Sequence, residues 1–301
     1  TLPHLESLEI LETPLQTLPE HWNACQRLKK LSLCKTALQQ LPDGLCQLQH
    51  LEYLVVQHGA VQTLPADWSA MQQLQTLILS NQQLRQLPDG LGQLSQLTRL
   101  EVQYNQLTQL PNSLQQLRQL KTLHLEHNQL RGLHTALQGL PHLETLVLNH
   151  NQLSTLPLLQ FPRLERLILG HNTLYQLPPQ PWALPALKEL DLQHNRLQQL
   201  PNPLPVLPNL SILHIGYNRL TQLPKQWSHC PKLQQLSLNN NQLETLPETL
   251  STLTELSNLH LQNNQLNALP NTLGQLRQLQ YLTLNHNRLH QLPPSITKLP
   301  A

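Results

Sequence analysis

Charge is scarce in this sequence. Asp, Glu, Lys and Arg make up 12% of its 301 residues, roughly half the usual share. Gln, Asn, Thr and His must therefore cover most of the surface. Net charge is +2 with neutral histidines, and there is no run of lysine or arginine. The nearest thing to a basic patch, Lys29, Lys30 and Lys35, is small. Phosphate binding needs clustered cations, so nucleic acid is not expected as a main ligand. No stretch of about 18 consecutive apolar residues is present, which leaves no helix to span a membrane. Aspartate occurs only at Asp43, Asp67, Asp89 and Asp191, the first three in one type of linking segment. That argues against a paired-carboxylate site, and GxxxxGK, HExxH and GxSxG are missing as well. The sequence gives no reason to expect an enzyme, a cofactor or a metal centre.

Cysteine is also sparse. Cys25, Cys34, Cys46 and Cys230 form no CxxC pair and no cluster near either end. Cys25 and Cys230 each stand three residues before a regularly spaced leucine, where most equivalent positions are Leu, and read as small core residues. The pattern favours a cytoplasmic or bacterially secreted setting over a disulfide-forming extracellular one. The chain starts at Thr1 with neither an initiator Met nor a signal peptide, so any targeting segment is expected outside it.

Leucine, glutamine and 25 prolines are abundant, and their order is periodic. The pattern Leu-x-x-Leu-x-Leu-x-x-Asn-x-Leu-x-x-Leu-Pro can be laid along the whole chain. Its first leucine falls at Leu5, Leu28, Leu51, Leu74, Leu97, Leu120, Leu143, Leu164, Leu187, Leu210, Leu233, Leu256 and Leu279. That makes thirteen units in a single domain. Eleven of the twelve spacings are 23 residues and one, Leu143 to Leu164, is 21. Leucines at the fourth and sixth positions alternate with polar residues, the period of a short strand with one buried face. One such strand buries too little alone, whereas stacked units build a continuous leucine core.

LTRLEVQYNQLTQLPNSLQQLRQ, from Leu97, resembles the leucine-rich repeat in its 23-residue form, and the resemblance covers essentially all of the chain. Similar units occur in bacterial leucine-rich-repeat proteins, including secreted effectors, and in intracellular eukaryotic signalling scaffolds. The resemblance implies an α/β fold: a curved right-handed solenoid with a parallel sheet on its concave face and short helical or extended outer arcs. It also implies a partner protein as ligand.

The ninth position is Asn in nine successive units, from Asn105 to Asn287. An amide both donates and accepts, so a stacked column can satisfy backbone groups that a turn leaves unpaired. Thr13, Thr36, Gly59 and Gln82 break the rule, which marks the N-terminal quarter as less regular. Segments such as the one opening at Pro88 suit short helical turns. The run from Pro178 to Pro208 contains Pro178, Pro179, Pro181, Pro185, Pro201, Pro203, Pro205 and Pro208, which forbid regular helix and predict extended arcs. Trp22, Trp68 and Trp227 share one slot and read as large core fillers. Neither end resembles a cap, and the expectation is that the chain is a piece of a longer protein.

The eighth position holds His58, His127, His150, His171, His194 and His286, with Tyr104 and Tyr217 in the same column. One reading is a metal-binding or pH-sensing ladder. The other is a solvent-facing position that tolerates His, which the lack of nearby carboxylates and thiolates favours.

Third, fifth and seventh positions point out of the sheet, so the concave face can be read directly. Its candidate partner-binding residues are Tyr53, Val55, Ile78, Arg99, Glu101, His124, Glu126, Val147, Arg166, Ile168, Glu189, Asp191, Ile212 and His214. Two apolar islands emerge, Tyr53 with Val55 and Ile78, and Val147 with Ile168, amid charged neighbours. Such anchors with a charged rim are typical of protein interfaces, although β-branched residues also simply suit strands. The expected function is recognition of a partner protein on this face, with no insertion into membranes. Two alternatives stand beside it: the targeting arm of a multidomain enzyme, such as a bacterial ubiquitin-ligase effector or a repeat-bearing GTPase with catalysis elsewhere, and a passive spacer.

Overall fold

A computed structural model describes residues 4–22, 24–133, 136–178 and 182–299. The chain forms two compact units, Thr1–Gln152 and Leu153–Ala301. The first carries seven strands: β1 (Ser7–Thr13), β2 (Lys30–Thr36), β3 (Tyr53–Gln57), β4 (Thr76–Ile78), β5 (Arg99–Glu101), β6 (Thr122–His124) and β7 (Thr145–Val147). The second carries six: β8 (Arg166–Ile168), β9 (Glu189–Asp191), β10 (Ile212–His214), β11 (Gln235–Ser237), β12 (Asn258–His260) and β13 (Tyr281–Thr283).

Within each unit the strands pair in sequence order, all parallel, each with the equivalent residue one repeat on. The register stacks fourth-position leucines on one another: Leu31, Leu54, Leu77, Leu100, Leu123 and Leu146 in the first unit, and Leu167 through Leu259 in the second. All of these are buried, and each contributes about 1.5–3 kcal/mol. The final Leu282 is only half-buried.

The asparagine column meets its expected role in detail. Asn128 accepts from the Leu107 N–H (2.9 Å) and donates to the carbonyls of Val102 (3.0 Å) and Leu125 (3.1 Å). The same triad recurs at Asn151, Asn195, Asn218, Asn241 and Asn264. Each interior carbonyl thus receives two amides, one from its own repeat and one from the next. The irregular Gln82 reproduces much of this, accepting from the Val61 N–H (2.9 Å) and donating to the Val56 carbonyl (3.2 Å). Its longer side chain fills the space where Gly59 would carry a Cβ, 2.9 Å from the Gln82 Oε1. Glycine at position 59 and glutamine at 82 are one packing solution. In the first two repeats, which have threonine instead, strand pairing runs on to Thr13 against Thr36, and β1 and β2 reach seven residues each.

The outer arcs contain no α-helix among the described residues. Instead 3-10 helices span Asp43–Gln47, Asp89–Gln93, Asn112–Gln116, Glu248–Thr252, Asn271–Gln275 and Pro294–Lys298. Each follows an extended proline whose ring fixes φ near −70°. All but the last bury their third residue, a leucine. Described residues of the proline-rich run are non-helical outside β9, as its composition demands; Pro179 and Pro181 lie outside the described residues. Trp22, Trp68 and Trp227 are core fillers. Two of them also anchor the arc, Trp22 Nε1 donating to the Pro19 carbonyl and Trp68 Nε1 to that of Pro65.

All four thiols are free. Cys230 is buried as expected, but Cys25 in the equivalent slot is half-exposed, so its expected core role fails there. Burial pushes the thiols of Cys46 and Cys230 up to about 12, and the thiolate is the reactive form. At pH 8 an alkylating reagent is therefore expected to label Cys25 and Cys34 in the native protein and to reach Cys46 and Cys230 only in denaturant. Mass spectrometry of the labelled peptides checks this; rapid native labelling of Cys230 would contradict it.

Candidate functional site

The eighth position of every repeat is left-handed: Glu12, Lys35, His58, Asn81, Tyr104, His127, His150, His171, His194, Tyr217, Asn240, Asn263 and His286 all have φ between 50° and 57°. Asn and His are among the residues that enter this region most readily, which accounts for their recurrence here. In the sequence the column of His and Asn is the signal of this backbone conformation.

Repetition then aligns the rings. In the first unit Tyr104 stacks on His127 at 4.2 Å between centroids, and His127 on His150 at 4.1 Å, both within 10° of parallel. In the second, His171 stacks on His194 at 4.1 Å and His194 on Tyr217 at 4.0 Å. His58 lies between Lys35 and Asn81 in the column, and His286 follows Asn263, so neither has an aromatic column neighbour there. Stacked rings direct their nitrogen lone pairs in parallel, whereas a metal needs them to converge. Among the described residues no group of three or more His, Cys, Asp or Glu is placed to hold a metal ion.

The stack bears on a response to pH rather than on metal binding. Burial lowers the pKa of His127, the nearby His150 lowers it further, and Glu126 opposes both. A histidine with a depressed folded-state value binds protons more weakly folded than unfolded. Above about pH 6.5 it therefore carries no penalty; stability falls as pH drops below that value and levels off beneath the folded-state one. Melting temperature is expected to fall between pH 8 and pH 5, and His127→Asn to reduce that fall while costing about 1 kcal/mol at pH 8 through lost stacking. Thermal melts of both proteins across pH check this; an unchanged pH response in the variant would contradict it.

The outward sheet face of the first unit brings one apolar island together. Val55 and Ile78 are direct cross-strand partners, both half-buried. Tyr53 shares the strand of Val55, with Lys30 Nζ 5.2 Å from its ring centroid. Ile78 pairs with Glu101, Glu101 with His124, and His124 with Val147. Glu101 was expected as a rim charge but is 5% exposed. Arg99 Nε donates to its Oε1 at 2.6 Å, and Gln103 Nε2 to its Oε2 at 3.2 Å. Glu126 has its Oε1 3.5 Å from His124 Nδ1. Its Oε2, like Gln103 Oε1, is buried with no hydrogen-bond partner.

In the second unit Arg166 Nε donates to Glu189 Oε2 at 2.7 Å. Glu189 pairs in turn with Ile212, and Ile168, Asp191 and His214 run in register beside them. Asp191 accepts from the Gln193 N–H (2.9 Å) and His214 Nδ1 lies 3.0 Å from Ser237 Oγ. The second expected island divides between the units, Val147 standing in the first and Ile168 in the second, each half-buried.

Family models decide the classification. The leucine rich repeat model matches residues 72–130, 185–243 and 208–266; a two-copy leucine rich repeats model matches 118–160, and a single-repeat model 278–299. The chain belongs to the leucine-rich-repeat family. No curated protein sequence matches it as a relative. Among solved structures, a leucine-rich-repeat protein of Leptospira interrogans is 33% identical, with a TM-score of 0.73, covering 92% of this chain and 77% of its own. YopM, a leucine-rich effector protein from Yersinia pestis, is 28% identical with a TM-score of 0.66, over 97% and 80% of the two chains. An internalin of Listeria monocytogenes, 20% identical, shares the fold with a TM-score of 0.75 over 98% and 86%. Leucine-rich-repeat domains are generally protein-interaction modules. No described helix is long and apolar enough to cross a membrane.

Proposed function

We propose that this leucine-rich-repeat chain binds another protein on the outward face of its parallel strands. The observation that carries this reading is the Val55–Ile78 pair with Tyr53 beside it. Strand preference alone explains β-branched residues poorly here. Other fifth positions of the first unit hold Glu9, Ser32, Glu101, His124 and Val147, so the strands form with polar residues there as well. A preformed sheet also loses little conformational entropy on binding. In the second unit Arg166, Ile168, Glu189, Asp191, Ile212 and His214 offer a mixed charged and apolar face of the same kind. Its role is that of a scaffold without a catalytic centre.

Likeness to the Leptospira protein and to YopM supports a bacterial type of protein, acting as an effector on a host or envelope partner. Four free thiols support a setting that does not form disulfides. The test is affinity capture from host and bacterial lysates. Wild type is run beside Tyr53→Ser/Val55→Ser/Ile78→Ser and, separately, Arg166→Ser/Ile168→Ser/Glu189→Ser, with circular dichroism confirming that each folds. A protein retained by the wild type and lost by either variant is the expected result. Equal capture by all three would move the interface off this face.

A further inference from the structure

We infer that the turns at the C-terminal ends of β8, β9 and β10 form a second docking surface, which takes an acidic segment of a partner protein. It flanks the strands rather than lying on their outward face, so it is a separate surface from the one proposed above. Its elements are the stacked rings of His171, His194 and Tyr217 and two arginines, Arg196 and Arg219, each two residues beyond a ring. Backbone bonds hold the arginines in register. The Arg196 N–H donates to the Leu174 carbonyl (2.8 Å) and the Arg219 N–H to that of Leu197 (2.9 Å), the equivalent bond one repeat on. The two side chains therefore leave the backbone about one strand spacing apart, about 4.8 Å.

Nothing in the repeat requires arginine there. The same tenth position is Gln83, Gln106, Gln129, Gln152, Gln242 and Gln265 in six other repeats, and Gln106 and Gln129 flank the ring stack of the first unit. The two units thus carry the same stack with different neighbours, neutral amides in one and guanidinium groups in the other. Both arginines are exposed. Among the described residues neither pairs with a carboxylate, whereas Arg99 and Arg166 do. No acid occurs in the turns 171–177, 194–200 and 217–223, and Glu244 is the first in the turns that follow. The acids of β9 are engaged elsewhere, Glu189 with Arg166 and Asp191 with the Gln193 N–H.

Charge then names the occupant. The second unit holds ten Lys and Arg against six Asp and Glu, the first nine against eleven. An acidic segment is drawn to the second unit. Guanidinium groups offer forked N–H pairs to its carboxylates. The imidazoles add N–H donors, and Tyr217, 45% exposed, adds a hydroxyl. Stacking holds the rings in place before a ligand arrives, so little side-chain entropy is lost on binding. Two cations are too few for a nucleic-acid track, where affinity grows with the number of phosphates neutralised.

The experiment measures fluorescence anisotropy of a labelled hexaglutamate peptide on the whole chain at about 0.15 M salt, where distant charges are screened. Wild type is compared with Arg196→Gln/Arg219→Gln, which installs the residue most repeats carry. A second variant, Arg163→Gln/Lys225→Gln, removes the same charge from the outer arcs. Melting curves verify that each folds. The turn variant should lose about tenfold or more in affinity, and the arc variant less than about twofold. His194→Asn, which removes the middle ring but suits the left-handed backbone, should lose about threefold. Equal losses in the two charge variants would reduce the effect to net charge and overturn the inference. So would no binding by wild type, or tighter binding of an oligothymidylate of the same charge. His194→Asn binding like wild type would overturn the part given to the rings. None of these residues is shared with the sheet-face variants, so failure here is distinguishable from failure there.

Discussion

Asn105→Ala is expected to destabilise the first unit by about 3–4 kcal/mol, and the same change at Asn128 by only about 2 kcal/mol. Both side chains make the same bonds, so the difference lies in what remains after removal. When Asn128 is lost, the Val102 carbonyl keeps the Asn105 amide and the Leu125 carbonyl keeps that of Asn151. Only the Leu107 N–H loses its amide partner. When Asn105 is lost, the Leu84 N–H loses its partner and so does the Leu79 carbonyl. No second amide covers Leu79, because Gln82 in the preceding repeat donates to Val56 and Ser80 instead. Asn105 is the first asparagine of the column, and the column has no overlap at its start. Chemical denaturation of the two variants side by side measures the difference. Equal losses would show that the doubled bonds to each carbonyl provide no cover.

Gly90→Ala should cost about 3 kcal/mol, while Ser113→Ala, the equivalent position one repeat on, should be neutral or stabilising. A Cβ on Gly90 would stand 2.0 Å from the Ala66 carbonyl oxygen, a backbone atom in an arc pinned by Trp68 and its bond to Pro65. Neither side of that contact can give way. The same approach occurs between Gly44 and the Glu20 carbonyl, 1.5 Å from a built Cβ, again two residues before a buried tryptophan. Ser113 follows an arc without tryptophan, and its hydroxyl is buried without a partner. Removing it relieves a desolvated group and leaves no clash behind. Melting curves for both variants decide the matter: a tolerated Gly90→Ala would mean that the tryptophan arc is mobile.

The repeat unit, its strand register, the asparagine column, the helical turns after proline and the non-helical proline-rich arcs were all legible in the sequence. Each depends on one repeat and its neighbour alone, so a 23-residue pattern contains the necessary information. What escaped reading depends on three-dimensional detail at single positions. Gln82 looked like a broken rule and is a working replacement, because an amide one methylene longer still reaches the same two backbone groups once residue 59 has no side chain. The His and Tyr column was read from composition alone, and ring stacking follows only when the left-handed backbone repeats with identical geometry. Glu101 counted as a surface charge by its fifth-position parity, yet Arg99 and Gln103 close over it. Parity gives the direction of a Cβ and says nothing of where a long side chain ends. The orphaned acceptors of Gln103 and Glu126 belong to the same class and had no sequence signal.

The hydrogen bonds between repeats have a mechanical consequence. Strand pairs join residues 23 apart, and asparagine amides reach 21 and 26 residues back. The bonds described here link a repeat to those immediately beside it, so within either unit a repeat that has lost one neighbour is held by the other alone. A unit pulled by its ends should therefore not rupture as one body. It should pay out its length repeat by repeat, about 80 Å of slack each, at a nearly constant force set by a single interface.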